Sequence, residues 1–353
     1  MYRLKKFPFK QQITSLEMYK ILSEANLYLG ELKGILEVIK HPQIITKLIN
    51  IGEAKTSCEI ENILTTYDDV FKEMIVPKKD SYGAKVIIQY MRATKVMFRN
   101  IVLSKEISQS SLETIQEMIE PENAGFRSLP GLKIYNKKTN KVIYVPPQNK
   151  NQILLFFDNL LQYINNDLDE YDPLIKMALI HYQFECIHPY LDGNGRTGRI
   201  LNVNYLVYKH RLSYPILNLS KYLRETKEQY FELLTQTHND SSTIDVFVIY
   251  MLKAIRETTR YTINFIHQVN RIMETTDREI KQKLPKIYSK ELVLHLFQYM
   301  YTKNELFRIS LNISRTTATK YLKELVKHGF LVEEKYGKET IYKNMEYVNF
   351  YMT

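Results

Sequence analysis

One short run dictates much of what this 353-residue chain can become. The apolar helical stretch LIKMALIHYQFECI ends against His188-Pro189, and then reads Tyr190-Leu191-Asp192-Gly193-Asn194-Gly195-Arg196-Thr197-Gly198-Arg199. Pro189 forbids an ordinary continuation of the first helix. Gly193, Asn194 and Gly195 tolerate left-handed backbone geometry, so the chain can turn sharply there. Helical residues resume directly afterwards, to about Lys209. The pattern therefore predicts two helices joined by a tight loop that opens onto the N-terminus of the second.

Such a loop is suited to an anion. Successive N–H groups in a turn of this kind point into one concavity. The N-terminal dipole of the following helix faces the same place. Arg196 and Arg199 lie three apart, on one helix face, and guanidinium groups match phosphate oxygens. Asp192 supplies an oxygen ligand for Mg²⁺, which commonly binds through one carboxylate plus phosphates. His188 is the side chain of the run able to take a proton near neutral pH. Base, metal ligand, anion nest and two arginines together point to nucleotidyl or phosphoryl transfer.

The rest of the chain reads as mainly α. Gly and Pro number only 11 each, which disfavours a turn-rich all-β fold. Apolar residues recur at three and four along 15–51, from about Thr56 to Met74, and from Gly83 to about Ile119. Residues 121–147 break that period. There, Lys133-Ile134-Tyr135 and Lys141-Val142-Ile143-Tyr144-Val145 flank a polar turn and predict an exposed β-hairpin, stopped by Pro146-Pro147. Helices are expected again over 149–165, 173–185, 220–237 and 242–274. From about Pro285 the order is helix, helix-turn-helix and hairpin, a winged-helix pattern.

The twelve-residue run resembles the Fic signature, His-Pro-Phe-x-(Asp/Glu)-Gly-Asn-Gly-Arg-x-x-Arg, with Tyr190 in place of Phe. The hairpin ending in Tyr144-Val145-Pro146-Pro147, the upstream HYQFECIH and the downstream LSKYLRETKEQYFELL also look like family segments. The resemblance covers roughly 80–260, with a family-like extension before it. It implies a Fic-type helical bundle with a β-hairpin flap, here followed by the winged-helix domain. The expected limits are 1–79 for an N-terminal helical region, 80–260 for the Fic core, 261–285 for a connecting helix and 286–353 for the winged helix.

The resemblance also implies an activity, transfer of AMP from ATP to a Ser, Thr or Tyr hydroxyl of a target protein. His188 would deprotonate that hydroxyl. Asp192 would hold Mg²⁺, and Gly193, Asn194, Gly195 and Arg196 would cradle the phosphates. Arg199 would grip the γ-phosphate. The flap residues Lys141, Val142, Ile143 and Tyr144 would dock the target by strand addition. Tyr222 and Tyr230 are candidates for the adenine wall, against a plain core role. Doc-type kinases carry Lys where this chain has Gly195, so the resemblance favours AMP transfer over phosphoryl transfer.

Ser57-Cys58-Glu59-Ile60-Glu61-Asn62 matches the family's inhibitory motif, (Ser/Thr)-x-x-x-Glu-(Gly/Asn). It implies that Glu61 pairs with Arg199 and keeps the ATP γ-phosphate out, with Ser57 and Asn62 as the rest of the motif. Self-modification, and removal of AMP, are further activities the resemblance leaves open. His181, Glu185 and His188 imitate metal-ligand spacing, but His188 is already needed as base and no third strong ligand is evident.

Net charge is +10, spread along the chain, which hints at an anionic partner. Residues 286–353 carry 11 Lys plus Arg against 7 Asp plus Glu, and Arg315, Lys320, Lys323 and Lys327 fall on the expected recognition helix. DNA is therefore a candidate partner, and the alternative function is a DNA-binding transcription regulator with a Fic-type sensor or toxin module. The bland reading of this segment is a protein-interaction or dimerisation module, and a homodimer is a further candidate. Cys58 and Cys186 are too few for a disulfide framework and read as buried thiols in a reducing, cytoplasmic setting. No run approaches a membrane span, and no signal peptide is evident.

Overall fold

The computed structural model describes residues 4–9, 15–78, 80–135, 142–166 and 168–352. It is mainly helical, with two small antiparallel sheets among the described residues. The chain separates into two units. One comprises 1–42, 46–64 and 86–263, the other 43–45, 65–85 and 264–353.

In the first unit, α1 (Leu16–Val38) is capped by the Ser15 side chain. Pro42 occupies the first turn of α2 (Pro42–Ile60), so the stretch 15–51 is two helices rather than one. The expected helix from Gly83 to Ile119 also divides, into α4 (Tyr82–Ser104) and α5 (Gln109–Ile119). Lys105 adopts φ 55° and Ser108 forms a capping box with Ser111, a stop and a start that apolar spacing does not register. After α6 (Lys150–Asn165) come α7 (Pro173–Ile187) and α8 (Asn194–Tyr208), which lie at the centre. Both are buried almost all round; α7 is largely apolar, as expected of such a helix, whereas α8 buries Asn194, Arg196, Thr197, Arg199, Asn202 and Asn204. Neighbouring helices α9 (Leu219–Glu225), α10 (Lys227–Asn239) and the first half of α11 (Ile244–Lys283) complete the core.

The expected hairpin is present as β1 (Ile134–Tyr135) and β2 (Val142–Tyr144), antiparallel, with Ile134 opposite Tyr144 and Tyr135 opposite Val142. Its tip, including Lys141, lies outside the described residues, as does the side chain of Ile143.

In the second unit, α12 (Lys290–Gln298) stops before Met300. Tyr301–Lys303 forms β3, the edge of a sheet ordered β3-β5-β4 with β5 at Glu339–Lys343 and β4 at Val332–Tyr336. Backbone pairing with β5 decides what propensity alone left open for Tyr-Thr-Lys. Between them are α13 (Asn304–Leu311) and α14 (Arg315–Lys327), the latter capped by Ser314. A final helix, α15 (Met345–Met352), follows β5 and was not expected. The helix α3 (Tyr67–Ile75) clusters with this unit: Lys343 pairs with Asp68 at 2.8 Å, Lys72 with Glu334 at 2.7 Å, and the Tyr301 hydroxyl donates to Asp68 at 2.6 Å. No helix among the described residues is long and apolar enough to cross a membrane.

Candidate active site

Helix α7 ends at His188, which takes left-handed geometry (φ 48°, ψ 61°). That turn is strained for a non-glycine residue, and Arg127 holds it. Arg127 Nε donates to the His188 carbonyl at 2.7 Å, and Nη2 to the carbonyls of Pro147 at 2.6 Å and Ile187 at 3.3 Å. One buried guanidinium therefore ties the loop to the segment that leaves the hairpin. Gln116 braces the loop from behind, giving a hydrogen bond to the Asp192 carbonyl at 3.1 Å and accepting one from Gly125 N–H at 3.0 Å.

The side chain of His188 is set by its neighbours. Nδ1 lies 3.4 Å from the Glu185 carbonyl, which can only accept. The proton therefore belongs on Nδ1, and Nε2 is left to receive one. Burial lowers the His188 pKa to about 4, with the nearby Arg127 charge acting in the same direction against the Glu185 carbonyl, Glu61 and Asp192. The imidazole is neutral at physiological pH and able to act as a base.

Beyond the loop, Gly193 sits at φ 80°, and a Cβ there would stand 3.0 Å from Glu120 Cγ. The first N–H groups of α8 have no carbonyl within the helix to bond. Asn194 places only its backbone there. Its side chain is engaged inside the loop, accepting from Tyr190 N–H and donating to Tyr190 O, each at 2.9 Å. Arg196 is buried and paired with Glu120, with Asp192 at 3.6 Å, while its Nε and Nη1 make no hydrogen bond among the described residues. Buried guanidinium donors of this kind ordinarily find an acceptor. Asp192 is exposed, and one of its oxygens accepts from Gly193 N–H at 2.5 Å.

Arg199 is buried, with 1% of its surface accessible. Nε donates to Ser57 Oγ at 2.8 Å, Nη2 to the Ser57 carbonyl at 3.0 Å, and Nη2 also to Glu61 Oε1 at 2.7 Å. Glu61 is the C-cap of α2, and the next residue, Asn62, has φ 66°. Asn is one of the few side chains at ease in that geometry, which turns the chain out of the helix just after the carboxylate. Lys227 closes the end by donating to the Ile60 carbonyl at 2.6 Å. Gly195 matters here too: a Cβ on it would collide with Glu61 Oε1 and stand 2.9 Å from Arg199 Nη1. Helix α2 is itself anchored by Glu53, which accepts from Ser220 N–H at 2.8 Å and from the Tyr90 hydroxyl at 3.1 Å.

Glu61, His188, Gly195, Arg199 and Tyr230 line one cavity. Its other wall is largely apolar or aromatic, with Ile134, Tyr144, Phe231, Leu234 and His238. The Tyr144 ring packs on His238 with centroids 3.5 Å apart, and its hydroxyl donates to the Cys186 carbonyl at 2.5 Å. Tyr222 is not among the lining residues and packs on Tyr250 instead. Arg127, Gln116, Glu120 and Glu53 escaped sequence reasoning, because each is isolated in sequence and meets the loop or α2 only in three dimensions.

The donors suit Mg²⁺ in one respect. Asp192 offers a single exposed carboxylate, and no group of three or more His, Cys, Asp or Glu among the described residues could cage an ion. An ion held by one carboxylate and completed by phosphate oxygens is the usual Mg²⁺ arrangement.

Residues 105–206 match the model of the Fic/DOC family, 19–99 that of the Fic/DOC family N-terminal region, and 272–347 the C-terminal domain of SoFic-like protein adenylyltransferases. A probable protein adenylyltransferase of Aquifex aeolicus is 27% identical over 184 residues, half of this chain and 53% of that protein. The protein adenylyltransferase Fic of Drosophila grimshawi is 25% identical over 186 residues, 52% of this chain and 35% of that protein. The chain thus spans about half, or about a third, of the length of these relatives. Among solved structures, a Fic family protein from Desulfovibrio desulfuricans shares the fold over 94% of this chain and 96% of its own, with TM-score 0.59 and 17% identity. Fic-1 of C. elegans does so over 71% and 74%, with TM-score 0.53 and 18% identity.

Proposed function

We propose that this chain, which belongs to the Fic/DOC family, is a protein adenylyltransferase that moves AMP from ATP to a hydroxyl of a target protein and rests in an inhibited state. One observation carries the reading. A neutral imidazole, a buried arginine and a carboxylate that occupies that arginine line a single cavity beside the N-terminus of a helix.

In this reading, Nε2 of His188 takes the proton of the target Ser, Thr or Tyr as its oxygen attacks the α-phosphorus, while the bond from that phosphorus to the bridging oxygen breaks and pyrophosphate leaves. The backbone N–H groups at Gly193, Asn194 and Gly195, with Arg196, steady the phosphates. The unpaired donors of Arg196 are what such an acceptor would satisfy. Arg199 grips the γ-phosphate and so fixes the α-phosphate in line. Asp192 would hold Mg²⁺, which supplies charge neutralisation on the phosphates. Tyr230 and the aromatic wall around Tyr144 and His238 would take the base. The segment Lys141, Val142, Ile143 and Tyr144 would dock the target's main chain.

Glu61 is the brake. It holds the guanidinium the γ-phosphate needs, and Ser57 and the turn at Asn62 keep it there. A triphosphate that cannot reach Arg199 leaves its α-phosphorus misaligned, and a small misplacement costs much of the rate. The decisive experiment for the activity compares ATP labelled at the α- and γ-phosphorus, with Mg²⁺ and the Glu61→Gly variant. Label from the α-position on protein, with none from the γ-position, supports the reading. Transfer of the γ-label would replace it with phosphoryl transfer.

A second reading concerns the C-terminal unit, which we take as a winged helix that binds DNA. Arg315, Lys320, Lys323 and Lys327 are exposed on α14 while Ala318, Leu322 and Leu325 are buried beneath them. That leaves the cations for phosphates. A gel shift that weakens steeply with salt would support it. Salt-insensitive or absent binding would leave a protein-interaction module.

A further inference from the structure

The chemistry above leaves one acidic side chain of the cavity without a role. Glu185 lies three residues before His188 on α7 and lines the same cavity as Glu61, Arg199 and Tyr230. Its Oε1 is closed off from solvent and has no hydrogen-bond partner among the described residues. That oxygen rests against α8, where a Cβ on Gly198 would stand 3.1 Å from it. Glu61 rests in the same way against Gly195, three residues earlier. Positions three apart share a helix face. The two carboxyl groups are therefore ranged along one wall, beside the guanidinium of Arg199.

A carboxylate with one oxygen shut off from solvent and unbonded is costly, and the carboxylic acid is less so. Burial pushes the Glu185 pKa up to about 7, against the pull of Arg199 and with the push of Glu61. The histidines and the tyrosine beside it do not switch near neutrality. On its own helix, burial lowers His181 to about 3 and His188 to about 4. From α10, burial holds the Tyr230 hydroxyl well above its ordinary range. Arg199 of α8 stays charged, and Glu61 at the end of α2 is paired with it. The charges that reach Glu185 are thus those of the inhibitory pair, at the phosphate end of the cavity and not at the Tyr144–His238 end.

We infer, resting on the nucleotide reading of this cavity, that Glu185 is a positioning residue that sets a proton condition on triphosphate binding. As a carboxylic acid it donates a hydrogen bond to the terminal phosphate that Arg199 holds. As a carboxylate it repels that phosphate. The cavity then has two acidic guards: Glu61, removed by displacement, and Glu185, removed by protonation.

The test is calorimetric titration of ATP with Mg²⁺, and of AMP, into the Glu61→Gly chain and the Glu61→Gly/Glu185→Gln chain from pH 5.5 to 8.5. Loss of the Glu61 charge moves the midpoint of Glu185 downward, so the window opens below 7. The ATP dissociation constant of the Glu61→Gly chain should rise by about tenfold per pH unit above that midpoint. AMP, lacking the terminal phosphate, should show a much smaller slope, a comparison that needs no change at Glu185. In the double variant the ATP slope should be lost, with binding at pH 8 tighter by about tenfold or more. Equal slopes for ATP and AMP, an unchanged ATP slope in the double variant, or weaker ATP binding by it at pH 8 would each overturn the inference while leaving the nucleotide reading intact. Absence of ATP binding at every pH in both chains would overturn both.

Discussion

Arg199 Nη2 donates to Glu61 Oε1 across 2.7 Å, joining the start of α8 to the end of α2 through a guanidinium that has almost no contact with solvent. The pair is one-sided, since the Arg199 side chain is 1% exposed and that of Glu61 35%. The carboxylate can leave toward water, whereas the arginine cannot. An exposed partner on a buried charge is a contact suited to exchange with another anion.

Ser57 is the less obvious half of that contact. Its hydroxyl accepts from Arg199 Nε at 2.8 Å, so Ser57→Ala leaves a buried charged donor unpaired. The expected cost is about 1–3 kcal/mol of stability. AMP incorporation should rise above wild type but stay below that of Glu61→Gly, because the Glu61 bond remains. Denaturant melts and labelled-ATP assays check both, and an unchanged value in each would refute the role assigned to Ser57.

Arg127 should matter as much as any residue of the signature. Its guanidinium reaches the carbonyls of His188, Ile187 and Pro147. Arg127→Met should lower stability by about 2–4 kcal/mol and reduce transfer in the Glu61→Gly background. Arg127→Lys should not restore transfer, since one ammonium cannot fork between two segments. Full activity in the lysine variant would contradict this account of how the His188 loop is held.

Tyr190 stands where the family signature has Phe. Its ring is buried against Phe126, with centroids 5.4 Å apart, but its hydroxyl has no hydrogen-bond partner among the described residues. The sequence suggests that this hydroxyl needs a partner, and the packing does not provide one. Removing an unsatisfied buried hydroxyl should therefore stabilise the fold by about 1 kcal/mol or more. A melt of Tyr190→Phe at or below the wild-type temperature would show that the hydroxyl is satisfied after all.

If His188 is the base of the proposed reaction, it sets the pH dependence of turnover. A base must be unprotonated, and burial lowers this imidazole to about 4. At saturating ATP, the turnover of the Glu61→Gly chain should fall only as pH drops toward 4, not through 6.5. The same shift has a stability consequence. With the folded value below the unfolded one, the contribution of neutral His188 is present above about 6.5 and is lost as pH falls toward 4. An acid limb of turnover centred near 6.5 would place His188 in contact with water instead.

The part of the site carried by adjacent residues was legible in the sequence. Pro189, Gly193 and the spacing of Arg196 and Arg199 define the loop and the helix that follows, because local sterics and helical period act over neighbouring residues. Glu61 was legible through a short motif, although it sits 138 positions from Arg199. What holds the motif in place was not. Arg127, Gln116, Glu120 and Glu53 are single polar residues whose partners lie on other elements, and no periodicity marks them. Helix breaks at Lys105 and strand β3 were missed for a related reason. A left-handed residue and an edge pairing replace the apolar repeat there. Tyr222 and Tyr230 looked equivalent in sequence, and only packing separates the one that lines the cavity from the one that does not.

On the proposed mechanism, Glu61 and the ATP γ-phosphate compete for Arg199. Incorporation of α-labelled AMP into protein, measured for wild type, Glu61→Gly and Glu61→Gly/His188→Ala with ATP and Mg²⁺, tests it most directly. A charge-assisted hydrogen bond of about 1.5–3 kcal/mol corresponds to a gain on the order of 10- to 100-fold for Glu61→Gly, with the double variant falling to background. Equal incorporation by wild type and Glu61→Gly would contradict it.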